Sequence, residues 1–241
     1  MRKLLPLALR VISLASLLGC GSWAQAADPV TDAMQAANAP YRLALYKTNS
    51  QSQTEALQAL MQAQQAWDKL RTQFGTQPSA PYDRDPAFTT SLAAITKVYD
   101  QALAEVHANQ LSTAHNTLEA VRDIMANMRQ RNQIVVFSDH MNAYHSQMEV
   151  LMLEGNTIMA QPKGLQLLTA QTGALSYLAK RLSTQAPETL RKNTEFTTLV
   201  ETVNQSVSRL EAALLEQDTT AVKDAISKLK GPYSKLFAKF G

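Results

Sequence analysis

The chain has 241 residues, of which 8 are Gly, 9 Pro and one Cys; 45 % are hydrophobic and only 6 % aromatic. Scarce Gly and Pro beside abundant Ala, Leu, Gln and Thr argue against β-sandwiches and glycine-rich nucleotide folds, and the apolar fraction excludes wholesale disorder. The formal charge of +3, from 23 basic and 20 acidic residues, is confined to the first ten residues, where Arg2, Lys3 and Arg10 face no acid.

Residues 1–26 read as a bacterial secretory signal: a basic start, an apolar stretch too short to span a bilayer, and the small-x-small site Ala24-Gln25-Ala26. Leu17-Leu18-Gly19-Cys20 also fits a lipobox, so the alternative is a lipid anchor on Cys20. Either way the expected compartment is the periplasm, as a soluble protein or a lipoprotein. Without residues 1–26 the remaining 20 basic and 20 acidic residues cancel, which leaves no nucleic-acid footprint. Cys20 is the only cysteine, so the exported part offers no disulfide, thiolate ligand or thiol nucleophile. No later apolar run reaches transmembrane length.

The sequence matches itself at an offset of about 107 residues. Asp32–Ala36 falls on Asp139–Ala143, and Phe88-Thr89-Thr90 on Phe196-Thr197-Thr198. Apolar positions then agree in register: Leu92 with Val200, Ile95 with Val203, Tyr99 with Val207 and Val106 with Leu214. Ala114 with Val222, Leu118 with Ile226, Val121 with Leu229 and Met125 with Tyr233 continue the match. Spacings of three and four are the period of amphipathic helices. The expected fold is therefore all-α, a tandem duplication of a four-helix unit, with repeat 1 over residues 27–133 and repeat 2 over 134–241. Two up-and-down bundles and one fused eight-helix body both satisfy the pattern.

The first copy predicts helices at 30–48, 53–74, 87–108 and 112–130. Pro40 is expected to kink or shorten the first helix, and Ser112 to cap the fourth. The second copy predicts helices at 138–160, 164–184, 189–216 and 219–239. Ser138 is the expected cap of the first of these, and Pro232 should bend or restart the last.

The chain has no P-loop, dinucleotide fingerprint, nucleophile elbow, H-E-x-x-H or haem-attachment motif, so no catalytic residue is assigned. Its histidines are more informative. His115/Glu119 and His145/Glu149 are both H-x-x-[LM]-E pairs, which put imidazole and carboxylate on one helix face. A borderline nitrogen donor beside a charge-neutralising carboxylate suits divalent transition metals. If the helices flanking residues 129–133 form an antiparallel hairpin, facing residues have numbers that sum to about 264. The midpoints of the two pairs, 117 and 147, meet that condition, which brings all four side chains to one level. A continuous helix would instead separate them by about 45 Å. The matching positions of the other copy hold Lys223, Ser227, Asn38 and Arg42, so the ligand set occurs once, where the copies join.

Phe137, Met141, Tyr144, Met148, Met152 and Met159 form a stripe flanked by His145 on one side and His140 on the other. Met141 and Met148 are therefore added to the candidate metal ligands, since thioethers suit Cu(I). Asp123 and Asp139 are candidate supporting groups. His107, near a helix end, reads as solvated. The lysine-rich end from Lys228 to Gly241 reads either as a closing core helix or as a basic amphipathic surface for lipid or an acidic partner.

These features point to a periplasmic transition-metal-binding helical protein that handles iron, copper or zinc by delivery, buffering or sensing, with a periplasmic or membrane transport partner. Two alternatives stay open. One is a non-covalent haem-b electron carrier, similar to the four-helix b-type cytochromes in architecture alone. The other is a metal-free scaffold, adaptor or ligand-sensing module.

Overall fold

The computed structural model describes residues 28–50 and 52–241. The expected export segment, with Cys20 and the Ala24-Gln25-Ala26 site, lies outside them. Ten α-helices and one short 3-10 turn account for the fold, and there is no strand among the described residues. In chain order they are α1 (Pro29–Asn49), α2 (Gln53–Phe74), α3 (Phe88–His107), α4 (Leu111–Arg131) and α5 (Phe137–Met159). There follow α6 (Gly164–Thr184), α7 (Glu188–Arg191), α8 (Thr194–Leu215), α9 (Thr219–Ser227) and α10 (Lys230–Phe240). No helix among the described residues is long and apolar enough to cross a membrane.

In the first half, α1 packs on α2 and α4, and α3 on α2 and α4, which closes a four-helix bundle. Its core runs from Val30 to Met128 around Trp67, Tyr41 and Tyr99. The second half repeats the plan with α5, α6, α8 and the broken pair α9–α10, around a separate core from Met141 to Leu236. Both members of all eight register pairs named above are buried. Phe237 of α10 packs against both cores and joins them.

Helix ends follow from local chemistry. The Asp28 carboxylate accepts from the Thr31 amide at 3.1 Å, and the Asn193 side-chain oxygen from the Phe196 amide at 3.0 Å. Asn109 and Gln217 hold the same left-handed turn in the two halves, with φ of 59° and 56°. Each is followed by an amide bonded five residues back, Gln110 to Glu105 and Asp218 to Ala213, the closure of a Schellman motif.

Four expectations about helix ends need correction. Ser112 and Ser138 lie inside their helices, with Gln110 and Val136 at the N-cap positions. At α5 the cap is made in reverse, since the Asp139 carboxylate accepts the Val136 amide at 3.0 Å. Of the two outcomes expected of Pro40, shortening does not occur, since α1 continues to Asn49. Pro40 deprives the Ala36 carbonyl of a donor, and Ala36 is exposed, where water can replace the lost bond. The helix expected at 189–216 is broken at Lys192–Asn193, where Asn193 caps a fresh start. The last helix restarts at Lys230 with Pro232 in its first turn, as the missing Pro232 amide requires.

Trp67 is fully buried, and its Nε1–H donates to the Leu92 carbonyl at 3.3 Å. Trp67→Ala should lower unfolding free energy by about 3–5 kcal/mol in urea titrations, through lost burial and an unfilled cavity.

Candidate metal centre

The site depends on the turn between α4 and α5. Gln133 adopts a left-handed conformation, φ 58°, and its amide reaches the Gln130 carbonyl while that of Ile134 reaches Arg129 at 2.9 Å. Across the turn, Arg129 Nε donates to both carboxylate oxygens of Asp139 at 3.1 Å, and Arg129 is only 3 % exposed. The backbones of α4 and α5 make few close contacts, so side chains span the gap between them.

Three of the six candidate ligands meet there. His145 Nε2 lies 3.3 Å from Glu149 Oε1 and 3.6 Å from Glu119 Oε1. One donor atom from each of Glu119, His145 and Glu149 lies within 4.8 Å of the others. Ligand atoms about 2.1 Å from a tetrahedral ion stand about 3.4 Å apart, so two edges of that polyhedron are already near coordination spacing. Glu119 and Glu149 are half-buried, whereas His145 is buried and stacks on Tyr233 with ring centroids 5.3 Å apart. Neither ring nitrogen of His145 has a hydrogen-bond partner, because the carboxylates lie at ion-pair rather than hydrogen-bond geometry. A buried imidazole with two unpaired nitrogens is costly, at about 1–3 kcal/mol, unless a ligand completes it.

His115 stands apart from this trio. Its Nε2 meets Glu119 Oε1 at 3.9 Å, while Nδ1 lies 3.0 Å from the Leu45 carbonyl and 3.3 Å from Thr48 Oγ1. A carbonyl only accepts, so Nδ1 carries the proton and Nε2 keeps its lone pair, the tautomer a metal ligand or its supporting residue needs. Burial lowers the His115 pKa below its ordinary 6.5. Glu119 is held below the usual carboxylate value first by His145, against burial, and further by Arg122.

These shifts set a pH dependence. The folded-state pKa of His115 is depressed, so its contribution to stability is complete above pH 6.5 and is lost as pH falls through the folded value. Chemical denaturation at stepped pH should therefore show a steeper loss of stability below pH 6.5 for the native chain than for His115→Gln.

Beside the trio lies a cavity of about 60 Å³, lined by His115, Glu119, Arg122, His145, Lys230 and Tyr233 among others. Met141 and Met148 do not line it. Both are fully buried in the second core, where the Met141 carbonyl accepts the Tyr233 phenol at 3.3 Å. At about 60 Å³ the cavity is smaller than the roughly 300–1,000 Å³ typical of pockets for drug-sized ligands and cofactors.

His140 faces a separate groove with Val135, Pro187 and Phe240, and His107 is exposed at the end of α3. Asp139 is committed to Arg129, and Asp123 is exposed beside Arg122. The lysine-rich end closes the core: Tyr233 and Leu236 are buried, and Lys239 pairs with Glu195. Sequence reasoning missed Arg122, although its place seven residues after His115 puts it on the same face of α4.

No protein-family model, curated protein or solved structure matches the chain. The geometry of the site is therefore the ground for a functional reading.

Proposed function

We propose that this chain is a periplasmic metal-handling protein that holds a divalent transition metal between its two halves and serves delivery, buffering or sensing. Glu119, His145 and Glu149 are the ligands, and His115 steadies Glu119 or joins the ion as a fourth donor. The observation that carries the reading is His145, buried, with neither ring nitrogen in a hydrogen bond and Nε2 within 3.6 Å of two carboxylates. Two carboxylates and an imidazole make a hard-to-borderline set, which suits iron or zinc. Copper drew its support from Met141 and Met148, which point to packing instead. The basic and apolar start of the sequence supports export.

The test is elemental analysis with an absorption spectrum on protein purified from periplasm without a histidine tag, beside His115→Ala/His145→Ala. Near-stoichiometric iron or zinc that disappears in the double variant supports the site. A Soret band would replace the reading with the haem carrier. No metal after anaerobic reconstitution with each ion would overturn it in favour of a metal-free scaffold.

A further inference from the structure

The charges around the site do not suit a bare divalent ion. Glu119 and Glu149 bring two negative charges, and Arg122 and Lys230, which line the adjoining cavity with Glu119 and His145, bring two positive ones. A divalent cation added to that set leaves an excess of about two positive charges in a partly enclosed space, which is costly where water is scarce.

Arg122 is only 8 % exposed, yet its nearest acidic contacts are long: Asp123 at 3.5 Å and Glu119 at 3.9 Å. The Asp123 side chain is 69 % exposed, so solvent screens most of its charge. Lys230 has no ion pair among the described residues. A planar guanidinium of this kind matches the oxygens of an oxyanion in a way a point charge does not. The cavity of about 60 Å³ is the right size. At roughly 10–15 Å³ per water it holds about four to six non-hydrogen atoms, the size of carbonate or acetate.

We infer that the metal is taken up together with a small oxyanion of the carbonate or short-carboxylate class, seated in this cavity between the ion and the Arg122–Lys230 pair. The inference rests on the proposed metal site. The oxyanion supplies the coordination that Glu119, His145 and Glu149 leave open, and it offsets one or both of the positive charges that the ion adds. Uptake of the ion then depends on the anion, and removal of the anion favours release, as a delivery protein requires.

The experiment is a zinc titration of the full exported chain in carbonate-free buffer, repeated with added bicarbonate, acetate or chloride. Zinc should bind at least about tenfold more tightly with bicarbonate or acetate than with chloride at equal ionic strength. Arg122→Gln and Lys230→Gln should each keep zinc binding and lose the anion effect. Lys230→Gln carries the test if Arg122→Gln fails to fold, because Lys230 lies only partly buried at the start of α10. Zinc binding of equal strength under every anion overturns the co-ligand while leaving the metal site intact. No zinc binding under any condition overturns both.

Discussion

His145→Phe is expected to abolish metal-induced stabilisation while leaving the metal-free fold as stable as before, within about 1 kcal/mol. The phenyl ring keeps the packing on Tyr233 and removes two buried nitrogens that make no hydrogen bond, Nε2 having only ion-pair contacts with the two carboxylates. Replacing an unsatisfied polar group by an apolar one of similar shape is close to neutral. Function and stability therefore separate at this residue. In the native chain, zinc at a hundred times its dissociation constant should add about 2.7 kcal/mol of stability, and in the variant none. Thermal melts with and without zinc read both quantities. A large loss of metal-free stability in His145→Phe would mean that the imidazole is a structural partner of Glu119 and Glu149 instead of a ligand held ready.

The second large effect is expected at Arg129, which no candidate ligand touches. Its guanidinium holds Asp139 across the α4–α5 turn, its carbonyl accepts the Ile134 amide, and Asp139 in turn caps the start of α5. Arg129→Met strands a half-buried carboxylate and should destabilise the fold by about 3–5 kcal/mol. Because α4 and α5 have few backbone contacts of their own, the same change should also misalign Glu119 with His145 and weaken zinc binding by about tenfold. A core truncation remote from the turn, such as Trp67→Ala, lowers stability without that loss of affinity. Denaturation midpoints and zinc titrations on the two variants distinguish alignment from general softening.

The parts of this fold written in periodic apolar spacing were legible from sequence, since helix period and burial are local consequences of side-chain order. The hairpin between α4 and α5 was also legible, because a chain reversal at residues 129–133 fixes which residues face each other; Glu119 and His145 accordingly meet at 3.6 Å. Details that depend on competing partners were not. Ser112 and Ser138 are sound caps by residue type, but the backbone starts each helix earlier, and at α5 Asp139 does the capping. Asn193 caps a fresh helix start inside a strongly periodic stretch, and periodicity alone predicts no break there. His115 was placed at the right level but turned toward Leu45 and Thr48 of α1, a helix that no pattern within α4 reveals. The methionines follow the same logic: spacing put Met141 and Met148 near His145, and the stripe they form faces the core. Arg122 and Lys230 come from distant parts of the sequence, and only folding brings them to one cavity.

Glu119, His145 and Glu149 are the proposed ligands of a single metal ion. Anomalous diffraction at the zinc edge, from crystals of the chain grown with zinc, tests the site directly. One strong peak per chain is expected, about 2.0–2.2 Å from His145 Nε2 and from an oxygen of each carboxylate. A site among these residues that stays empty at full zinc saturation, with zinc found only at surface carboxylates, would contradict it.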